Sequence, residues 1–77
     1  MIKPKKVIPQ KKFFIIVHFD NGKISNIDMS FILNENGTVV EPLKNWEVFQ
    51  QVSIVDGVIT WPTGYDIDPS FLLELAS

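Results

Sequence analysis

The 77-residue chain has no cysteine, no arginine and a single histidine, His18. Without cysteine, disulfides and thiolate metal sites are excluded as staples. One imidazole and no thiol cannot assemble a structural zinc site of the usual kinds, so no metal is expected. The missing arginine removes the side chain that most often reads guanine or phosphate in a bidentate way. No apolar run approaches the roughly 20 residues that cross a bilayer, so no membrane partner is expected. The basic start, Met1 to Lys6, is followed from Phe13 by a short apolar stretch that breaks at His18. No small-residue cleavage site comes after it, so no signal peptide is expected and the expected location is the cytoplasm. Asn36-Gly37-Thr38 fits a glycosylation acceptor, but without a secretory signal it reads as a turn.

Catalytic groupings are missing as well. No serine stands in a nucleophile-elbow context and no glycine-rich phosphate loop is present. His18 lies inside the most apolar segment, far in sequence from any nucleophile. A domain of this size also has little room to enclose a pocket of several hundred cubic ångströms. Neither catalysis nor a cofactor is expected.

What the chain does have is apolar mass: 45% hydrophobic residues, with six Phe and two Trp. A chain this short buries only about 60–65% of the surface its unfolded form exposes, so packing must supply its stability, extended where needed by self-association. The expectation is one domain over residues 1–77, with 1–12 a lysine-rich arm or edge strand and 13–77 the globular body. Charge follows that division. Lys3, Lys5, Lys6, Lys11 and Lys12 precede Phe13, whereas two lysines and nine acids follow it. A lysine arm can track a nucleic-acid backbone by counterion release. It can equally guard a sheet edge.

Val7-Ile8-Pro9 reads as a short edge strand, where proline is tolerated. Phe13–Phe19 is the clearest strand. Phe13, Ile15, Val17 and Phe19 form one apolar face at a period of two, and Phe14, Ile16 and His18 form a second, expected to be part-covered. Asp20-Asn21-Gly22 supplies a tight turn, and Lys23–Asp28 returns as the second arm. Met29–Leu33 reads as one helical turn capped by Asp28 or Ser30, and Thr38–Glu41 as a brief strand. Asn45 caps a short helix through Phe49, with Trp46 and Phe49 on its buried face. Val52–Val55, Asp56-Gly57 and Val58–Trp61 form a second hairpin. Asp68 is the N-cap and Pro69 the first residue of a last helix, whose stripe is Phe71, Leu72 and Leu75. Hairpins with short helices predict an α+β domain: a small, largely antiparallel sheet with a C-terminal helix packed on one face.

Trp61-Pro62-Thr63-Gly64-Tyr65-Asp66-Ile67-Asp68-Pro69 holds two prolines, a glycine, two aromatics and two acids within nine residues. Trp61, Pro62, Gly64, Tyr65, Asp66, Asp68 and Pro69 are the candidate motif or interaction residues. Asp66 and Asp68, with Asp56 brought near through the hairpin, could chelate a hard cation. The simpler assignment makes Asp68 a helix cap and gives Asp66 the backbone amides of its turn. Phe13, Phe19, Trp46 and Phe71 are expected in the core. Trp61 or Tyr65 is the expected hot spot if the chain has one. Phe14 and Ile16 on the second strand face support a homodimer unless helices cover them.

The segment from Ile59 to Pro69 resembles the signature of a small bacterial domain-of-unknown-function family, whose members close with W-P-N-G-x-D-(L/I)-D-P before a short helix. Val17-His18-Phe19-Asp20-Asn21-Gly22 is similar to that family's V-x-F-x-(D/N)-G turn, Asp28 to Leu33 to its V-D-L-S-x-L-L segment, and Glu41-Pro42-Leu43 through Phe49 to its P-L-x-D…F stretch. The likeness runs from about Phe13 to Phe71. Thr63 departs from the usual asparagine, and Asn45 stands where aspartate is common. The resemblance implies an α+β fold and no established activity. It also implies members that occur alone, in pairs resembling toxin–antitoxin genes, or fused to a helix-turn-helix domain, which this chain is expected to be too short to carry. The functional expectation is a non-enzymatic protein-interaction module with a small protein partner, the antitoxin-like or regulatory half of a bacterial pair. The alternative is an accessory nucleic-acid-binding protein using the lysine arm.

Overall fold

A computed structural model describes residues 2–77, so Met1 of the basic arm lies outside the described residues. Two antiparallel three-stranded sheets divide the chain. In the first, β1 (Pro4–Gln10), β2 (Phe14–Phe19) and β3 (Ile24–Asp28) lie side by side in sequence order, and in the second β4 (Ser53–Val55), β5 (Val58–Thr60) and β6 (Asp66–Ile67) do the same. Two 3-10 helices, Ser30–Asn34 and Glu41–Lys44, and the one-turn helix α1 (Trp46–Phe49) connect the sheets. Helix α2 (Pro69–Ala76) follows β6. The fold is α+β, with two sheets rather than one.

The expected edge strand is longer than Val7–Pro9. β1 takes the register Ile8↔Ile16 and Pro9↔Ile15, and the register shifts between Pro4 and Lys6. That bulge adds one residue on the β1 side, so Pro4 is buried opposite Phe19 while Lys5 and Lys6 both stay exposed. Along β2 the period of two holds. Ile15, Val17 and Phe19 are buried, and they pack with Ile27, Met29, Ile32, Phe49, Ile59, Trp61 and Leu72 in one core. Phe13 belongs to the turn before β2 rather than to the strand. Its φ is +65°, yet its ring still meets Phe49 edge-on at 5.2 Å. Lys12 beside it has φ +66°, so two residues with full side chains sit in the left-handed region.

The other turns follow from their residues. Asp56 (φ +52°) and Gly57 (φ +79°) take the consecutive left-handed conformations of a two-residue hairpin turn. Three helix starts carry a side-chain acceptor that the sequence suggests, whereas Val40 ahead of the Glu41–Lys44 helix supplies none. Asp28 Oδ1 accepts from the Ser30 amide at 2.8 Å, Asn45 Oδ1 from Glu47 at 2.9 Å, and Asp68 Oδ2 from Ser70 at 3.0 Å. Neither expected cap occupies the N-cap position of the first 3-10 helix, which is Met29; Asp28, one residue earlier, is the one whose side chain accepts from the helix start.

Three expectations are corrected. Thr38–Glu41 is not a strand. The Glu41 amide donates to the Gly37 carbonyl at 3.0 Å, and Glu41-Pro42 opens a 3-10 helix that buries Leu43 three residues after buried Val40. The pull of a buried i, i+3 pair outweighs the β-propensity of the valines. Asp66 and Ile67 are strand rather than turn, paired with Thr60 and Ile59 because Ile67 fills the core. Phe71 is 39% exposed, its ring meeting Phe31 edge to face at 5.8 Å, whereas Leu72 is the α2 residue that is buried.

Candidate interaction site

The closing motif is a hairpin followed by a helix start, and its side chains are almost all engaged. The Gly64 amide donates to the Trp61 carbonyl at 3.0 Å, and the Trp61 amide to the Tyr65 carbonyl at 2.8 Å. Gly64 has φ +98°. This is a three-residue hairpin loop in which Pro62 presets the turn and a left-handed glycine closes it. Trp61 is 1% exposed, and its indole Nε1 donates to the Phe49 carbonyl at 2.8 Å. It is therefore a core residue and offers no surface to a partner. Thr63 Oγ1 donates across to the Val39 carbonyl at 2.7 Å, tying the loop to the segment before the second 3-10 helix. An amide side chain could donate there too, so the departure from asparagine keeps the strap.

Tyr65 is half-buried, its ring edge-on to Trp61 at 5.7 Å, and its hydroxyl donates to Glu35 Oε1 at 3.1 Å. Burial pushes its phenol up to about 12, and the acceptor carboxylate of Glu35 and the charge of Asp66 push the same way. Asp68 and Pro69 start α2, as expected from their order. The Asp66 side chain makes no hydrogen bond to the amides of the preceding turn among the described residues, because the residue lies in β6 instead. Among the described residues no three His, Asp or Glu side chains gather closely enough to hold a metal ion. A cavity of about 90 Å³ lies between Phe19, Ser25, Leu73 and Ala76, small beside the several hundred cubic ångströms of a ligand site. No helix among the described residues is long and apolar enough to cross a membrane.

The lysines do not form one patch. Lys3, Lys5, Lys6, Lys11 and Lys12 are all exposed, but β1 separates Lys5 and Lys6 from Lys11 and Lys12. At strand rise the two pairs stand about 17 Å apart. Lys11 is further drawn over the Trp46 ring, with Nζ at 5.1 Å from its centre.

The surface that the structure adds is the outer face of the first sheet. Register places Lys6, His18 and Ile24 in one row across it, and Ile8, Ile16 and Asn26 in the next. Gln10, Phe14 and Asp28 form the third. None of these nine positions is buried, and none joins the core cluster. Ile24 is 62% exposed, the highest value for any large apolar side chain among the described residues. Phe14, Ile16 and His18 are half-buried, as expected for a part-covered face. Sequence reading missed Ile8 and Ile24 as members of this face. The signal lay in the spacing of Ile24 and Ile27: three apart in a strand puts them on opposite faces, so burying Ile27 turns Ile24 outward.

Asp28 closes the last row. The Ser30 amide first, and then its hydroxyl, hold the Asp28 carboxyl below the usual aspartate range. No curated protein and no solved structure gives a significant match to this chain. A family model does match, over residues 4–77, and the chain belongs to the family described as protein of unknown function (DUF2442).

Proposed function

We propose that this domain is a non-enzymatic protein-interaction module and that its contact surface is the outer face of the β1–β2–β3 sheet. The observation that carries the reading is that face itself: Ile8, Phe14, Ile16 and Ile24 lie together on the side of the sheet turned away from the core. Apolar side chains gathered on one surface and rimmed by polar ones mark protein contacts more often than scattered ones do. In the antitoxin-like or regulatory role that the resemblance implies, the partner is a small protein.

The test is capture from the host with tagged wild-type protein beside Ile16→Lys, which charges the middle of the face without touching the core. Loss of the captured protein with the variant supports the reading, and equal capture with both overturns it. The alternative is an accessory nucleic-acid-binding protein. It is the weaker reading, because Lys3, Lys5 and Lys6 lie at one end of β1 and Lys11 and Lys12 beyond the other. It predicts binding that falls steeply with salt and fails when Lys5 and Lys6 become Gln.

A further inference from the structure

We propose that in the free protein the outer face of the first sheet is closed by a second copy of the same chain, packed so that Lys6 of one copy meets Asp28 of the other. The inference rests on the interaction-module reading and names the first occupant of its surface. Lys6 and Asp28 stand at opposite corners of the face: Lys6 on edge strand β1 in the row of His18, Asp28 on edge strand β3 in the row of Phe14. Ile16 is at the centre, paired with Ile8 on one side and Asn26 on the other.

A two-fold axis lying in the interface must run in some direction across this face, and the charges discriminate among the choices. An axis along the strands sets Lys6 over Ile24 of the second copy and Asp28 over Gln10. An axis across the strands sets Lys6 over Gln10 and Asp28 over Ile24. Both leave each charge against a neutral or apolar side chain. An axis perpendicular to the Lys6–Asp28 diagonal superposes Lys6 on Asp28 twice, Ile16 on Ile16, and Ile8 close to Phe14. The strands of the two sheets then cross steeply, as in orthogonal sheet packing. All three axes set Ile16 on Ile16, and only the one perpendicular to the diagonal also pairs both charges. Asp28 is suited to it, since the Ser30 amide fixes one carboxylate oxygen at 2.8 Å and orients the group at the corner.

The size of the face sets the strength. Three strands about 4.8 Å apart, with outward residues about 6.7 Å apart along each, make a patch of a few hundred Å² per copy. That is short of the roughly 800 Å² per partner of a standard interface, so the dimer is reversible and is populated at high protein concentration.

The experiment is sedimentation equilibrium of the purified full chain up to about millimolar concentration, with far-UV circular dichroism confirming that each variant is folded. The wild type is expected to dimerise. Ile16→Lys should weaken dimerisation at least about tenfold, and Lys6→Glu, which sets two acids against each other at both corners, by about three- to tenfold. The reversal Lys6→Glu with Asp28→Lys restores the pairing and should recover the wild-type constant to within about threefold. A protein that stays monomeric at the highest concentration overturns the proposal, as does a dimer indifferent to Ile16→Lys. A dimer weakened by Lys6→Glu but not recovered by the reversal overturns the diagonal arrangement. A monomeric wild type whose host capture is still abolished by Ile16→Lys rejects the self-pairing while the interaction-module reading stands.

Discussion

The second sheet is the smaller of the two, with strands of three, three and two residues against seven, six and five, yet it holds the denser set of side-chain bonds. Around it Trp61 reaches the Phe49 carbonyl, Thr63 the Val39 carbonyl and Tyr65 the Glu35 carboxylate. The first sheet keeps its apolar surplus on the outside. An isolated short hairpin is marginal in water, so a sheet of this size persists only when fixed contacts hold it to the rest of the fold. A longer sheet is stable enough from one covered face to leave the other open. The most recognisable stretch of the sequence is thus the scaffold, and the surface available for contact lies where no motif draws the eye.

The comparison breaks most sharply if the two sheets respond alike to mutation. Trp61→Ala should cost about 3–5 kcal/mol, because it empties the centre of the aromatic cluster and leaves the Phe49 carbonyl only the longer bond from the Val52 amide at 3.3 Å. Urea unfolding checks this, and Ile16→Lys on the outer face of the first sheet should cost far less in the same assay. Gly64→Val comes next, at about 1–3 kcal/mol. Space is not the obstacle, since an added Cβ would meet only Val39 Cγ1 at 3.8 Å. The φ of +98° is, because a β-branched residue rarely adopts it. Asp68→Ala should cost about 1 kcal/mol through the lost bond to the Ser70 amide. If that variant keeps its stability but loses partner capture, the motif is a contact surface and the division drawn between the sheets fails.

These contrasts also show what was legible in the sequence. Asp56-Gly57, Asn21-Gly22 and Asp68-Pro69 announce their turns and cap because short polar residues, glycine and proline carry strong local preferences. The turn before β2 could not be read, since Lys11, Lys12 and Phe13 contain none of those residues. Phe13 packing on Phe49 holds it in a conformation its own chemistry disfavours. Val39 and Val40 have strand propensity and Asp66 has the opposite, yet each takes the other state because Val40, Leu43 and Ile67 are needed in the core. The motif was legible as a corner. The outer face was only half so, because Ile8 and Ile24 join Phe14 and Ile16 through register, which no single strand encodes. Lys12 gives a smaller test of the first sheet. Lys12→Gly should stabilise by about 0.5 kcal/mol, relief of the φ of +66° outweighing the glycine's extra freedom when unfolded.

The smallest effect expected comes from pH, and it separates the strap around the second sheet from everything else. The chain has one tyrosine, so phenolate absorbance reports Tyr65 alone. Its folded-state pKa is raised from 10.0 to about 12, first by burial and then by donation to Glu35. The folded protein therefore holds the phenolic proton more tightly than the unfolded chain does. The resulting stability is fully present below pH 10 and is lost as pH rises from 10 towards 12, where the unfolded chain ionises first. Because the ring is half open to water, screening keeps the contribution modest. The informative quantity is the difference between wild type and Tyr65→Phe in urea unfolding as pH rises, because it isolates the phenol. That difference should shrink between pH 10 and 12 as the wild type loses its advantage. A phenol that titrates near its ordinary value would mean that Tyr65 is neither packed down nor bonded to Glu35 in solution, and the second sheet would lose one of the fixed contacts that set it apart from the first.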